Sequence, residues 1–160
     1  MKKLFLIFCI LFSACSFENS KDAGKIGEKS VEISAKDLLG NSVKLANDST
    51  NLKVLVFFKN GCASCLKELP LLDKFCKEND GKISVYAINS NDSLEVIKYL
   101  SEQFNFERVR ILKDELKITS DNYSVFATPT TIIIKDGLIK DRILGEKEWE
   151  DLHLKLVSLL

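Results

Sequence analysis

One stretch restricts the fold of this chain more than any other: the apolar run KVLVFF at residues 53–58, followed closely by residues with helical spacing. A strand that is apolar on both faces is typical of a parallel sheet covered by helices. From Ala63 to Lys77 the apolar residues recur at helical intervals, and Pro70 within this stretch predicts a kink. The sequence therefore predicts an α/β fold with a buried strand next to a long helix.

Strands and helices continue to alternate along the chain. TTIIIK and LIKDRIL flank the turn residues Asp136 and Gly137, which predicts a β-hairpin. VEIS and VKLA flank the turn LLGN, which predicts a second hairpin that adds an edge to the sheet. Strands are predicted at 31–34, 43–46, 83–88, 109–112, 130–135 and 138–144, and helices at 93–104, within 114–126 and at 146–160.

The N-terminus has the pattern of an export signal. Two lysines precede the apolar run Leu4–Phe12, which is shorter than the ~20 apolar residues that a membrane-spanning helix needs. The following FSAC resembles a lipobox, in which Cys15 becomes the lipidated first residue of a bacterial lipoprotein; plain secretion is the alternative. We assign 1–14 to a signal peptide, 15–30 to a polar, lipidated tether and 31–160 to one folded domain.

The charge balance excludes one class of partner. The 23 basic residues equal the 23 acidic ones, and no basic run follows Lys2 and Lys3, so the chain lacks the electrostatic signature of a nucleic-acid-binding protein. With 160 residues, of which 46% are apolar, the chain suits a single compact domain, and we expect a monomer.

The pair Cys62 and Cys65 opens the predicted long helix. The helix N-terminus favours a thiolate at Cys62, with Lys59 as a nearby cation, while Cys65 lies one turn further, placed to attack a mixed disulfide. A metal site would need further ligands, and the chain offers only Cys76 and the single histidine, His153. A structural bridge remains an alternative, although closing so small a loop stabilises little.

With Pro70 in the helix and Thr128–Pro129 before TTIIIK, the arrangement resembles the thioredoxin fold, and within it the TlpA/ResA-like membrane-tethered thiol-disulfide oxidoreductases. The resemblance covers residues 31–160 and implies a central mixed sheet flanked by helices. It also implies that Cys62 attacks, that Cys65 resolves, that Thr128 and Pro129 form a cis-proline loop that binds substrate, and that no bound cofactor is needed.

The same resemblance suggests the partners and the location. They are protein disulfides or thiols, with apocytochrome c as one substrate class, and a membrane electron donor that re-reduces the pair. The place of action is the extracytoplasmic face of a bacterial envelope, at the membrane through the lipid anchor.

Several positions depart from the family pattern. Gly61 and Ser64 stand where the family usually has Trp and Pro, and the neutral Ala63–Ser64 dipeptide lacks the His of strongly oxidising relatives, which favours a reductase. Val56 occupies the strand position of the buried acid of thioredoxin. Glu68 aligns with a glutamate of ResA-like proteins and is a candidate proton relay to Cys65, or else a solvated helix residue.

Three other interpretations stay open. The chain could be a redox-inactive interaction module with a permanent disulfide. A dithiol oxidase would usually carry a long helical insertion, which is absent here, and a peroxidase would carry its attacking cysteine in a different local motif. Cys76, on the apolar face of the long helix, is expected to fill the core rather than to act as a resolving thiol.

Overall fold

The computed structural model of this protein describes residues 24–160. The predicted signal peptide, the predicted lipidation site Cys15 and residues 15–23 of the predicted tether lie outside the described residues. Among residues 24–160, no helix is both long and apolar enough to cross a membrane.

The core of the fold is a seven-stranded mixed sheet with the order β2-β1-β5-β4-β3-β6-β7. The three central strands β3, β4 and β5 are parallel, whereas β6 runs antiparallel to β3, and both outer hairpins are antiparallel. The α/β prediction is thus confirmed. The strands are β1 Ala35–Lys36, β2 Ser42–Val43, β3 Leu52–Phe57, β4 Ile83–Asn89, β5 Arg110–Lys113, β6 Thr130–Lys135 and β7 Leu138–Leu144.

Four α-helices accompany the described part of the sheet, together with short 3-10 turns at Leu45–Asn47 and Glu115–Lys117. The predicted long helix is confirmed, with Pro70 exposed inside it, and the predicted helix at 93–104 begins after its N-cap Ser93, whose Oγ accepts from the amide of Val96. The helices are α1 Ala63–Glu78, α2 Leu94–Phe104, α3 Ile118–Asn122 and α4 Trp149–Val157.

Strand β3 is buried on both faces, which explains why its sequence does not alternate. Successive strand residues point to opposite faces. Val54 and Val56 pack with residues of α1, α2 and α4, whereas Leu55 and Phe57 pack on the other face with Tyr123 and the first strands. The sheet is therefore covered by α1, α2 and α4 on one face, and on the other by the segment around Ile33 and by Tyr123, which follows α3.

The N-terminal hairpin begins later than predicted: VEIS lies outside the strands, and β1 starts at Ala35. In this segment, side chains rather than a neighbouring strand accept hydrogen bonds from the backbone amides. The Glu32 carboxylate accepts from the amides of Leu45 (2.6 Å) and Ala46 (3.1 Å), and the amide of Ser34 donates to Thr119 Oγ1 at 2.9 Å. These bonds take the place of a strand ladder, so an alternating pattern alone misplaced the strand.

The N-terminal segment, Gly24–Ser30, lies against the outer strand β7. The amide of Gly27 donates to the Ile139 carbonyl (2.8 Å), the amide of Ile139 donates to the Glu28 carbonyl (2.9 Å), and the amide of Ser30 donates to the Gly137 carbonyl (2.9 Å). Residues that the sequence assigned to the tether thus cover the edge of the sheet.

Asp48 is a polar anchor at the beginning of β3. Its carboxylate accepts hydrogen bonds from the Tyr86 hydroxyl and from the amide (2.9 Å) and hydroxyl (2.8 Å) of Thr50. Burial raises the pKa of Asp48, but the hydrogen bonds, led by that from Tyr86, outweigh burial and lower the pKa to about 2. The Arg110 guanidinium lies 5.2 Å from the Tyr86 ring centroid.

The lowered pKa of Asp48 predicts a pH-dependent contribution to stability. The ordinary pKa is 3.8, so the contribution is complete above about pH 4 and is lost as the pH falls through about 2. Asp48→Asn should lower the free energy of unfolding at pH 7 by about 1 kcal/mol, a figure reduced for partial exposure, and by less near pH 2.5.

Urea unfolding at both pH values measures the effect. Asp136→Asn is the matched control, because Asp136 is exposed in the β6–β7 turn, where Asn-Gly serves as well as Asp-Gly. Equal stability of Asp48→Asn and the wild type at pH 7 would contradict the prediction.

Candidate active site

Cys62 and Cys65 lie where the loop after β3 meets α1. Cys62 is the N-cap residue of α1, and its Sγ accepts a hydrogen bond from the amide of Cys65 at 3.3 Å. The two cysteines form a disulfide, with their Cα atoms 5.3 Å apart. The Ser64 hydroxyl lies 3.7 Å from Cys62 Sγ.

The two cysteines differ in access to solvent. Cys62 is 7% exposed and Cys65 is fully buried. After reduction, the unpaired amides of the first helical turn and the helix dipole favour a thiolate at Cys62. Of the two residues, Cys62 is therefore the more accessible to solvent and Cys65 is the shielded one.

The cysteine loop, Phe58–Gly61, is held by a residue that the sequence reasoning missed. Asp92 Oδ2 accepts from the amide of Asn60 and from Asn89 Nδ2, both at 2.7 Å. Asn89 is fully buried, and its Oδ1 accepts from the amides of Asn91 (3.0 Å) and Asp92 (2.9 Å). The available signal was Asn-x-x-Asp directly after a predicted strand, a pattern of side-chain-stabilised turns.

The proline loop, Val125–Pro129, lies beside the cysteine loop. Thr128–Pro129 is a cis peptide, as the sequence predicted. Thr130, next to Pro129, pairs with Phe57, the last residue of β3, so the two loops leave adjacent strands at the same end of the sheet. Phe126 is 92% exposed.

Hydrogen bonds at its C-terminal end fix the proline loop to the sheet. Thr130 Oγ1 donates to the Ala127 carbonyl at 2.8 Å, and the amide of Gly145 donates to the Pro129 carbonyl at 2.9 Å. The buried Oγ1 of Thr128 has no hydrogen-bond partner among the described residues.

Glu68 is buried behind the cysteines, at 8% exposure, and so is not a solvated helix residue. It lies one turn after Cys65 on the buried face of α1, and Thr131 Oγ1 donates to its Oε1 at 2.8 Å. Burial raises the pKa of Glu68, and the hydrogen bond from Thr131 opposes this without cancelling it. A cleft of about 290 Å³ between α1 and the start of α4 reaches Glu68 from solvent.

The remaining thiol and the histidine lie further along α1 and on α4. Cys76 is 2% exposed, and burial raises its pKa to about 12, so it fills the core as expected. The His153 ring packs against Phe75, with ring centroids 5.3 Å apart, and against Trp149. Across residues 24–160, His, Cys, Asp and Glu side chains form no group of three or more that could hold a metal ion.

The sequence is similar to a known protein family and to individual bacterial proteins. Residues 26–142 match the AhpC/TSA family. The thioredoxin-like protein YneN of Bacillus subtilis is 30% identical over 135 residues, which cover 81% of this chain and 78% of YneN. The thiol-disulfide oxidoreductase ResA of Bacillus cereus is 26% identical over 139 residues, which cover 86% of this chain and 80% of ResA.

Solved structures confirm the fold. A hypothetical protein of Sinorhizobium meliloti superposes with a TM-score of 0.75 at 19% identity, with 84% of each chain covered. The pneumococcal exposed lipoprotein thioredoxin of Streptococcus pneumoniae superposes with a TM-score of 0.70 at 21% identity, covering 81% of this chain and 100% of that one. The predicted thioredoxin-like fold is therefore correct.

The unequal burial of the thiols predicts the order of their modification. In the reduced protein, iodoacetamide should alkylate Cys62 first, with an apparent pKa between ~3.5 and ~7.5. Cys65 and Cys76 should stay unmodified at neutral pH while the protein is folded, because both are buried. Peptide mass spectrometry across a pH series measures this, and Cys76→Ser should leave the labelling rate unchanged. A Cys62 that titrates near ~8.5 would favour the structural bridge.

Proposed function

The chain belongs to the AhpC/TSA family, and we propose that its cysteine pair reduces protein disulfides on the extracytoplasmic side of a bacterial membrane. It is a thioredoxin-like thiol-disulfide oxidoreductase. The observation that carries the proposal is the placement of the pair: a reachable Cys62 at the helix start and a buried Cys65 one turn later. The neutral Ala63–Ser64 dipeptide supports reduction, because it offers no cation to stabilise the reduced form.

The reaction proceeds in two exchanges. The Cys62 thiolate attacks one sulfur of the substrate disulfide, forming a mixed disulfide and releasing the other substrate sulfur as a thiolate. The Cys65 thiol then loses its proton and attacks Cys62 Sγ, which releases the second substrate thiolate and forms the Cys62–Cys65 disulfide. Two electrons have passed to the substrate, so a membrane dithiol donor must reduce the pair again.

The proline loop is the proposed substrate surface. Thr128 and Pro129 lie next to the cysteine loop, where a peptide backbone could add to the exposed loop as an extended strand. The exposed Phe126 offers an apolar contact beside it. Such backbone recognition suits a protein substrate rather than a small molecule.

The substrate class we infer is apocytochrome c, whose haem-attachment cysteines must be kept reduced. The support is the TlpA/ResA-like arrangement of this site and the similarity to ResA over 86% of the chain. The opposite direction, dithiol oxidation, and a redox-inactive module with a permanent disulfide are the competing functions. The module would not exchange its disulfide with a substrate, whereas an oxidase would exchange it but would have a higher, more oxidising reduction potential than a reductase.

A trapping experiment tests the function. With Cys65→Ser the second exchange cannot occur, so mixed disulfides with substrate should accumulate through Cys62, and insulin-disulfide reduction should stop. Cys62→Ser should trap nothing, whereas Cys76→Ser should reduce insulin at the wild-type rate. If neither insulin reduction by the wild type nor trapping is seen, the redox-inactive module is favoured.

Glu68 is the proposed proton relay to Cys65. It lies one turn away on the same buried face, and its raised pKa brings proton exchange closer to neutral pH. Glu68→Gln keeps an acceptor for Thr131 but cannot take a proton. Breakdown of the mixed disulfide should therefore slow by ~10²-fold, while the pKa of Cys62 stays unchanged.

The free energy of unfolding of Glu68→Gln distinguishes a proton relay at Glu68 from a purely structural role. Because the folded pKa of Glu68 is raised, its stability contribution is complete at acidic pH and is lost as the pH rises through that pKa. Glu68→Gln should thus be more stable than the wild type at neutral pH while resolving more slowly. Slower resolution with reduced stability would instead indicate damage to packing. Stopped-flow kinetics and urea unfolding measure the two.

Anchoring by lipid at Cys15 is the proposed means of holding the domain at the membrane. It is supported by FSAC after the apolar run. Radiolabelled palmitate fed to cells should label the wild-type precursor and not Cys15→Ala, which should remain unprocessed or soluble. Equal labelling of the two would contradict lipidation at this residue.

A further inference from the structure

Arg142 of β7 binds backbone carbonyls from two distant parts of the chain. Its Nη1 donates to the Tyr123 carbonyl (2.6 Å) and, more weakly, to that of Gly24 (3.4 Å), and its Nη2 donates to the Ser124 carbonyl (2.6 Å). Among residues 24–160 its guanidinium has no carboxylate partner, since the neighbouring Asp141 pairs with Lys155 and accepts only from the backbone amide of Arg142, at 2.8 Å. The guanidinium therefore serves backbone groups rather than an ion pair.

The N-terminal segment also packs closely against the Tyr123 carbonyl, through Gly24. A Cβ added to Gly24 would lie 2.7 Å from the Tyr123 carbonyl oxygen, so only glycine fits there. Tyr123 is fully buried, and its hydroxyl donates to the Val31 carbonyl at 2.6 Å. We call the meeting of Gly24, Tyr123, Ser124 and Arg142 the arginine junction.

The arginine junction stands directly before the proline loop. Ser124 precedes Val125, and its backbone has a φ of 51°, an uncommon value for a residue with a side chain. The carbonyls of Tyr123 and Ser124 both point to Arg142, which fixes the direction in which the chain enters the loop. The other end of the loop is fixed by Thr130 and Gly145.

We propose that Arg142 is a positioning residue for disulfide reduction, which sets the proline loop for substrate by holding the carbonyls of Tyr123 and Ser124. The proposal rests on the proposed function, because it assigns the proline loop to substrate binding. Arg142 does not contact the cysteines, so it affects substrate affinity rather than thiol chemistry. The N-terminal segment shares the same anchor through Gly24.

Lysine and arginine are not equivalent at this junction. A guanidinium presents donors on separate nitrogen atoms in a rigid fork, whereas an ammonium is a single point on a flexible stem. Arg142→Lys keeps the charge but should leave the Tyr123 or Ser124 carbonyl without its donor. The proline loop should then become more mobile.

The test compares full-length variants in insulin-disulfide reduction. Arg142→Lys should raise KM by about five- to tenfold with kcat within twofold, the pattern of lost substrate binding, and the Cys62 pKa should not move. Hydrogen exchange of the Val125 amide, which donates to the Ser120 carbonyl at 2.8 Å and directly follows Ser124, should become at least severalfold faster. Unchanged KM and unchanged exchange, or a loss of kcat with a shifted Cys62 pKa, would overturn the proposal.

A glycine pair gives an independent perturbation should Arg142→Lys fail to fold. Gly24→Ala pushes on the Tyr123 carbonyl and should raise KM and loop exchange in the same direction. Gly27→Ala is its matched control, because Gly27 has a similar φ of 91° against 94° but nothing within 4 Å of an added Cβ. Equal KM and exchange for the two alanine variants would overturn the role of the junction.

The hydrogen-exchange arm separates this proposal from the proposed function. If the wild type reduces no disulfide while Arg142→Lys still accelerates exchange of the Val125 amide, the reductase assignment fails and the positioning of the loop stands. If the wild type is active and loop exchange does not respond to Arg142→Lys, the reductase assignment stands and Arg142 is only a structural residue.

Discussion

The pairing of β3 with β6 is the interaction on which the active site depends. β3 is buried on both faces and runs parallel to β4 and antiparallel to β6. Because β3 ends where β6 begins, with Phe57 opposite Thr130, the loop that leads to Cys62 and the loop that contains Pro129 emerge side by side. The two functional loops are 64 or more residues apart in sequence (Phe58–Gly61 and Val125–Pro129), and one strand pair brings them together.

Position along α1 then decides what each ionisable side chain can do. Cys62 sits at the N-terminus, where unpaired amides favour a thiolate, and Cys65 is one turn inside and fully buried. Glu68 is one turn further, in contact with Thr131 and with a cleft that reaches solvent. Cys76, near the end of the helix and also buried, has a pKa raised to about 12 by burial. Cys65 and Cys76, further along α1, are therefore both more deeply buried than Cys62 at its start.

The sequence predicted those parts of the fold that are determined locally. The bounds of β6 and β7 follow from an apolar run, an Asp-Gly turn and a second run, and the structure reproduces them. The position of the cysteine pair at a helix start was also predictable from a local pattern, whereas the cis-proline loop at Pro129 was implied by the family resemblance. VEIS failed as a strand because side chains bind the backbone amides that a ladder would use: the Glu32 carboxylate accepts from the amides of Leu45 and Ala46, and the amide of Ser34 donates to the hydroxyl of Thr119, 85 residues away.

The turn that contains Asp92 had a local signal, but its contact with Asn60 and the contacts of Arg142 with Tyr123 and Ser124 join distant parts of the chain and were not predictable. Asp92 and Arg142 are both charged side chains that bind backbone groups of a functional loop from outside: Asp92 accepts from the amide of Asn60 in the cysteine loop, and Arg142 donates to the carbonyls that precede the proline loop. Loops carry few ladder bonds of their own, so their geometry depends on such long-range contacts. A carboxylate for amides and a guanidinium for carbonyls are the matching choices, since each side chain offers several acceptors or donors at once. The cysteines supply the electron transfer, and these two residues keep the cysteines and the proline loop in register without contacting either sulfur.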